Sequence, residues 1–112
     1  MGFAASLARL LILTAYKSDL ELQGQFINQT RLQLANSVGQ LFSISADLSP
    51  DNPQARQIQA SIAAIQALDK SLELQLKRLE AQQKAVSNEV ESVKKVMDKN
   101  IDSSFKTFSG SG

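Results

Sequence analysis

Two seven-residue patterns run along this chain, one on each side of a single strong break. After the break, Ile62, Ile65, Asp69, Leu72, Leu76, Leu79, Gln83, Val86, Val90, Val93 and Met97 follow one another at alternating spacings of three and four. All but Asp69 and Gln83 are apolar. A strand would send successive members of this series to opposite faces, whereas a coiled-coil helix lines them up as one seam. The two polar exceptions fall mid-seam, where such residues fix register at some loss of stability. Leu68, Leu74 and Val96 lie off the seam and widen the apolar surface, which predicts contacts with more than one neighbouring helix. Before the break, Leu13, Leu20, Ile27, Leu34, Leu41 and Leu48 recur every seven residues. Their companion positions, Lys17, Gly24, Arg31 and Val38, make a poor second row, so the pattern predicts a narrow apolar stripe there. Gln23, Gln25, Asn28, Gln29, Gln33, Asn36 and Gln40 border it. Amides at this density either interlock across a crowded helix contact or face water.

The break is Ser49-Pro50-Asp51-Asn52-Pro53. Two prolines bracket two turn-forming residues, Asn52 is placed to cap a helix, and Pro53 suits its first position because its missing N–H goes unused there. The expected fold is therefore all-α: a helix over about residues 3–46, a turn at 49–53 built on Pro50, Asp51, Asn52 and Pro53, and a helix over about 54–108. The two form an antiparallel hairpin with coiled-coil packing, completed by oligomerisation. Residues 1–108 make one domain and residues 109–112 a flexible tail. Gly24 and Gly39 each weaken the first helix by about 1 kcal/mol relative to alanine, and Gly39 is the expected kink.

A chain of 112 residues buries only about two-thirds of the surface its unfolded form exposes. Five Phe, one Tyr and no Trp leave few bulky anchors, so the core is thin and partners are needed to complete it. Lys and Arg number 12 against 11 acids, and the basic residues alternate with acids in the manner of a solvated helix face. No basic stripe is present, so nucleic acid is not an expected partner. Cysteine and histidine are absent, which removes disulfides, imidazole bases and thiol nucleophiles. Glu21, Glu73, Glu80, Glu89 and Glu91 fall on expected exposed faces, and there is no glycine-rich phosphate loop or serine elbow. The expectation is a protein with no catalytic, metal or cofactor site. Met1 to Tyr16 is apolar, but Arg9 interrupts it and Lys17-Ser18-Asp19 follows, which fits neither a cleaved signal peptide nor a membrane span. Export to the cell surface or beyond would then proceed without a cleaved signal, a destination that the lack of cysteine suits. The myristoylation-like opening Met1-Gly2-Phe3-Ala4-Ala5-Ser6 and the sequon Asn28-Gln29-Thr30 are read as chance matches.

Pro50-Asp51-Asn52-Pro53, with the ending that runs from Ser87-Asn88-Glu89-Val90 through Lys95-Val96-Met97-Asp98-Lys99-Asn100-Ile101 to Phe105, resembles the needle subunits of bacterial type III secretion systems over about residues 48–108. The amide-rich first helix is similar to that of flagellar axial proteins. The opening, Met1 to Leu11, resembles the start of a group of short bacterial proteins, which implies no activity. The first two resemblances imply a secreted bacterial subunit that polymerises into a filament or tube. On that expectation, self-assembly falls to Phe3, Leu7, Leu10, Leu11, Ile12 and Leu13, with Ile101, Phe105 and Phe108. The competing reading has these residues covering one another at the open end of the hairpin. Two other functions stay open: a closed dimer or tetramer of a small secreted hairpin protein, and a membrane-surface protein with Phe3 to Tyr16 lying in the interface.

Overall fold

In a computed structural model, which describes the backbone of residues 2–111 and the side chains of residues 2–106, two helices pack against each other and no strand occurs among the described residues. Helix α1 spans Phe3–Ala46 and helix α2 spans Pro53–Ser111. Helix α1 ends by tightening: the Asp47 N–H reaches the Ile44 carbonyl at 3.2 Å and the Leu48 N–H the Ser45 carbonyl at 3.1 Å. Pro50 then disfavours helical backbone at Ser49, and the turn closes with the Asn52 N–H on the Ser49 carbonyl at 3.0 Å. Asn52 caps α2 as expected, its Oδ1 accepting from the Gln54 N–H at 2.9 Å while its carbonyl accepts from the Ala55 N–H at 3.0 Å. Pro53 is the first helical residue.

Helix α1 is continuous through Gly39, where the Ser43 hydroxyl donates to the Gly39 carbonyl at 3.1 Å. One local expectation changes at the chain's end. Helix α2 runs on past Phe108 to Ser111, so residues 109–111 extend the helix; no described glycine adopts the positive φ that would cap it. Gly112 lies outside the described residues.

The chain divides into two compact units, residues 23–79 and residues 1–22 with 80–112. In the turn unit, residues 23–79, the core comprises Ile27, Ala55, Ile62 and Leu79, with Leu34, Val38, Leu41, Leu48, Ile58, Ile65, Leu72 and Leu76 half-buried. The companion row of α1, expected to be unfit for a seam, belongs to it. Gly24 is buried because it receives Leu76: a Cβ on Gly24 would sit 3.8 Å from Leu76 Cδ1. Arg31 is accepted because Asp69, one of the polar exceptions of the α2 seam, lies opposite it, so the two misfits satisfy each other. In the end unit, Leu13 and Leu20 of α1 and Val86, Val90 and Val93 of α2 form the core, with Leu10, Lys17, Gln83 and Met97 half-buried. Every member of the α2 seam read from the sequence is buried or half-buried, whereas Leu68, Leu74 and Val96 are exposed.

Candidate assembly surface

The seam decides which of the expected assembly residues are free. In the end unit Leu13 is 6 % exposed, and Leu10 is half-buried beside it. Both belong to the rows that face α2, so neither is available to a neighbour while the hairpin is closed. Leu13 is thereby corrected from assembly residue to hairpin core: a member of the seven-residue ladder cannot also face outward. Leu7, Leu11 and Ile12 fall outside those rows, and Phe3 sits on one of them at the very start of α1. Phe3, Leu7, Leu11, Ile12, Ile101 and Phe105 are all exposed, with Ile12 at 68 % and Phe105 at 69 %, so they do not cover one another at the open end. Phe108 lies outside the described side chains.

On α2 the patch is flanked by charge, with Asp98, Lys99, Asp102 and Lys106 around Ile101 and Phe105. On α1 Arg9 donates from Nη2 to Glu89 Oε2 at 2.9 Å, across from α1 to α2. Both side chains are about half exposed, and a pair so well solvated adds little stability. It does neutralise the one positive charge of the first turns. Ser6, in the same unit, is fully buried with no hydrogen-bond partner for its hydroxyl. Its position in the first turn of the seam calls for a small side chain, and the orphaned hydroxyl is a local defect of that packing.

The turn unit carries a second apolar surface that the sequence reading did not single out. Phe26, Leu32, Phe42 and Ile44 of α1 are exposed, Phe26 at 70 %, as are Leu68 and Leu74 of α2. The signal was present in the sequence: these α1 residues fall between the ladder positions, and no charged residue follows Arg31 before Asp47. Gln25, Asn28, Gln29, Gln33, Asn36 and Gln40 are exposed as well, so the hairpin itself does not interlock these amides. Thr30, Ser37 and Ser43 turn their hydroxyls back onto carbonyls four residues earlier, which lowers the polarity that they present outward.

One groove of about 550 Å³ opens on this unit. Leu34, Val38 and Ile65 supply apolar walls, Ala35 and Leu32 line its α1 side, and Asn28 and Gln66 add amides. Its charged lining is the pair in which Arg31 Nε and Nη2 donate to Asp69 Oδ1 and Oδ2 at 2.8 and 3.3 Å. Glu73 stands 3.9 Å from Arg31 and 3.5 Å from Lys77, extending the pair into a short network. The hydrogen bond from Arg31 holds the Asp69 carboxyl below the usual carboxylate range; partial burial opposes this, and the guanidinium charge reinforces it. The same bond pushes the Arg31 guanidinium further up.

No group of three or more His, Cys, Asp or Glu among the described residues could hold a metal, and none of the described helices is long and apolar enough to cross a membrane. The arrangement offers apolar side chains, amides and internally paired charges, which is what a helix-packing surface requires. No protein-family model, no curated protein and no solved structure matches the chain, so its reading rests on this geometry and on the sequence.

Proposed function

We propose that this chain is a structural, non-catalytic subunit that assembles with copies of itself into a secreted bacterial filament or tube. The observation that carries the reading is the open apolar surface of the end unit, where Phe3, Leu7, Leu11 and Ile12 of α1 are exposed, and where Ile101 and Phe105 lie in a stretch of α2, residues 101–106, in which no residue is buried. Large apolar surfaces of this kind mark interaction sites. A second apolar surface, in the turn unit, gives the subunit more than one contact to make, and contacts that do not close on themselves generate an open polymer. The secreted and bacterial parts of the proposal rest on the resemblance of Pro50-Asp51-Asn52-Pro53 and the ending up to Phe105 to secretion needles.

The test is a double variant, Leu11→Ser with Phe105→Ser, examined by negative-stain electron microscopy and circular dichroism. Both residues are exposed, so the hairpin should stay helical while filaments disappear, because each change removes apolar area worth about 25 cal/mol per Å² from every repeated contact. Loss of helicity would instead show that these residues close the hairpin's own core. A wild-type protein that forms only a discrete dimer or tetramer at every concentration would replace the filament with a closed assembly.

A further inference from the structure

We infer that the turn unit pairs with a second copy of itself through a two-fold contact centred near Gly39, in which Phe42 of each copy enters the groove beside Ala35 of the other. The inference rests on the self-assembly reading and deepens it by naming one contact. It begins with the position of the groove on α1. Asn28, Ala35 and Phe42 are spaced seven apart, so they share one flank of the helix, next to the seam row of Arg31 and Val38. Leu32 and Gly39 occupy the adjacent row of the same flank. Groove and phenyl ring therefore face the same side. Along the helix they are separated by seven residues, about 10.5 Å.

Ala35, which lines the groove, is small where Phe42, one repeat later, is large and 55 % exposed. A surface that carries both a hole and a matching knob on one flank is complementary to itself. A two-fold axis between the two positions exchanges them, and that axis falls beside Gly39. A Cβ built on Gly39 would meet nothing within 4 Å, so this part of α1 is open on the outside and lets a second helix come close.

Charge selects a second copy as the occupant. The ions of the groove, Arg31 and Asp69, are bound to each other, so a charged ligand finds no counter-ion there. From Leu32 to Ala46 helix α1 has no charged residue, whereas α2 carries Lys70, Glu73, Lys77 and Arg78 within the same unit. Packing the charged part of α2, residues 69–78, against the groove would strip water from charges without pairing them, which is costly. Two stretches of the turn unit are free of charge, residues 57–68 of α2 and residues 32–46 of α1, and of these α1 carries the exposed aromatic ring, Phe42, to fill the groove.

Because the chain lacks cysteine, Gly39→Cys gives a single thiol at the proposed axis. Treatment of that full-length variant with a short bis-maleimide should yield a covalent dimer, whereas Gln57→Cys, exposed on α2 in the same unit, should not. Adding Phe42→Ala to Gly39→Cys should lower the yield about tenfold, the effect of removing one central aromatic anchor. Equal yields from Gly39→Cys and Gln57→Cys, or a yield indifferent to Phe42, would overturn this contact. Filaments that persist in such a case would leave self-assembly standing through the other surface. A wild-type chain monomeric throughout would overturn both the contact and the reading on which it rests.

Discussion

Helices α1 and α2 pair with each other yet are written differently. In its 44 residues α1 has Arg9, Lys17, Asp19, Glu21 and Arg31 as its charged side chains, and two of these, Lys17 and Arg31, lie half-buried in the seam. Charged residues recur along α2 from Asp69 to Lys106, nearly all of them away from the seam. Helix α2 is thus amphipathic in the ordinary way, with a seam facing α1 and a solvated back. Helix α1 has apolar residues on both sides: Leu13 and Leu20 within the end-unit core, Leu11, Ile12 and Leu22 outside it, and in the turn unit Ile27 inside with Phe26 and Leu32 outside. One apolar side of α1 is covered by its own hairpin, and the difference between the helices is that the other lies open, interspersed with amides. The proposed assembly covers that open side.

The sharpest way to break this comparison is to truncate α1 on each side in turn. Under dilute, monomeric conditions Leu20→Ala should lose about 2–5 kcal/mol on chemical denaturation, as should Leu79→Ala on α2, because both side chains are buried. Leu22→Ser and Phe26→Ser should each stay within about 0.5 kcal/mol of wild type, since their side chains are mostly exposed in the hairpin. Comparable losses from the outer pair would mean that the monomer already covers them.

The start of α2 is sharper than the start of α1, and smaller changes probe that. Asn52→Ala removes the acceptor of the Gln54 N–H and should lower stability by about 1 kcal/mol in a thermal or urea melt. Ser6→Ala should act in the opposite direction, by about 1 kcal/mol, because it removes the hydroxyl left without a partner near the start of α1. An unchanged or lower melting point for Ser6→Ala would show that the hydroxyl is satisfied. Gly24→Ala also tests the seam: the new methyl meets Leu76 at ordinary contact distance, so a gain of up to about 1 kcal/mol is expected in place of a clash.

The smallest expected effect concerns the charged residues that α1 and α2 share in the turn unit. Asp69 is held below the ordinary carboxylate range by the hydrogen bond from Arg31. The stability that this gives is present above the unfolded carboxyl pKa, about 3.9, and is lost as pH falls through the lower folded value. The melting temperature of Asp69→Asn should therefore lie slightly below wild type by a constant amount above about pH 5, and the two should converge in acid. A difference that persists unchanged at acid pH would mean that the pair does not account for it.

How much of this could be read beforehand follows from the same contrast. The α2 seam was legible from Ile62 to Met97 because charges mark its back, and the turn was legible because proline and asparagine act locally. The second row of α1 was not, since Gly24 and Arg31 make sense only against Leu76 and Asp69, residues far away in sequence. A row of that kind is chosen by its partner and not by hydrophobicity. Leu13 was assigned twice, to the ladder and to the outer surface, and burial decides for the ladder. The outer residues Leu22, Phe26, Leu32, Phe42 and Ile44 were passed over because a helix without a charged face offers no contrast against which to see them. Of the residues expected to carry assembly, Leu7, Leu11 and Ile12 are exposed because they fall outside the rows that face α2, Phe3 because it lies at the very start of α1, and Ile101 and Phe105 because no residue of the stretch 101–106 is buried.

The central claim, that α1 is built to be covered on both sides, is tested most directly by sedimentation velocity of the full-length wild-type chain over a wide concentration range, at low and at high salt. Self-assembly driven by burial of apolar side chains predicts a sedimentation coefficient that rises with concentration and does not fall on adding salt, because attraction between charges, which salt screens, is not what drives the contacts. A single species of about 12.2 kDa at every concentration and both salt levels would contradict it.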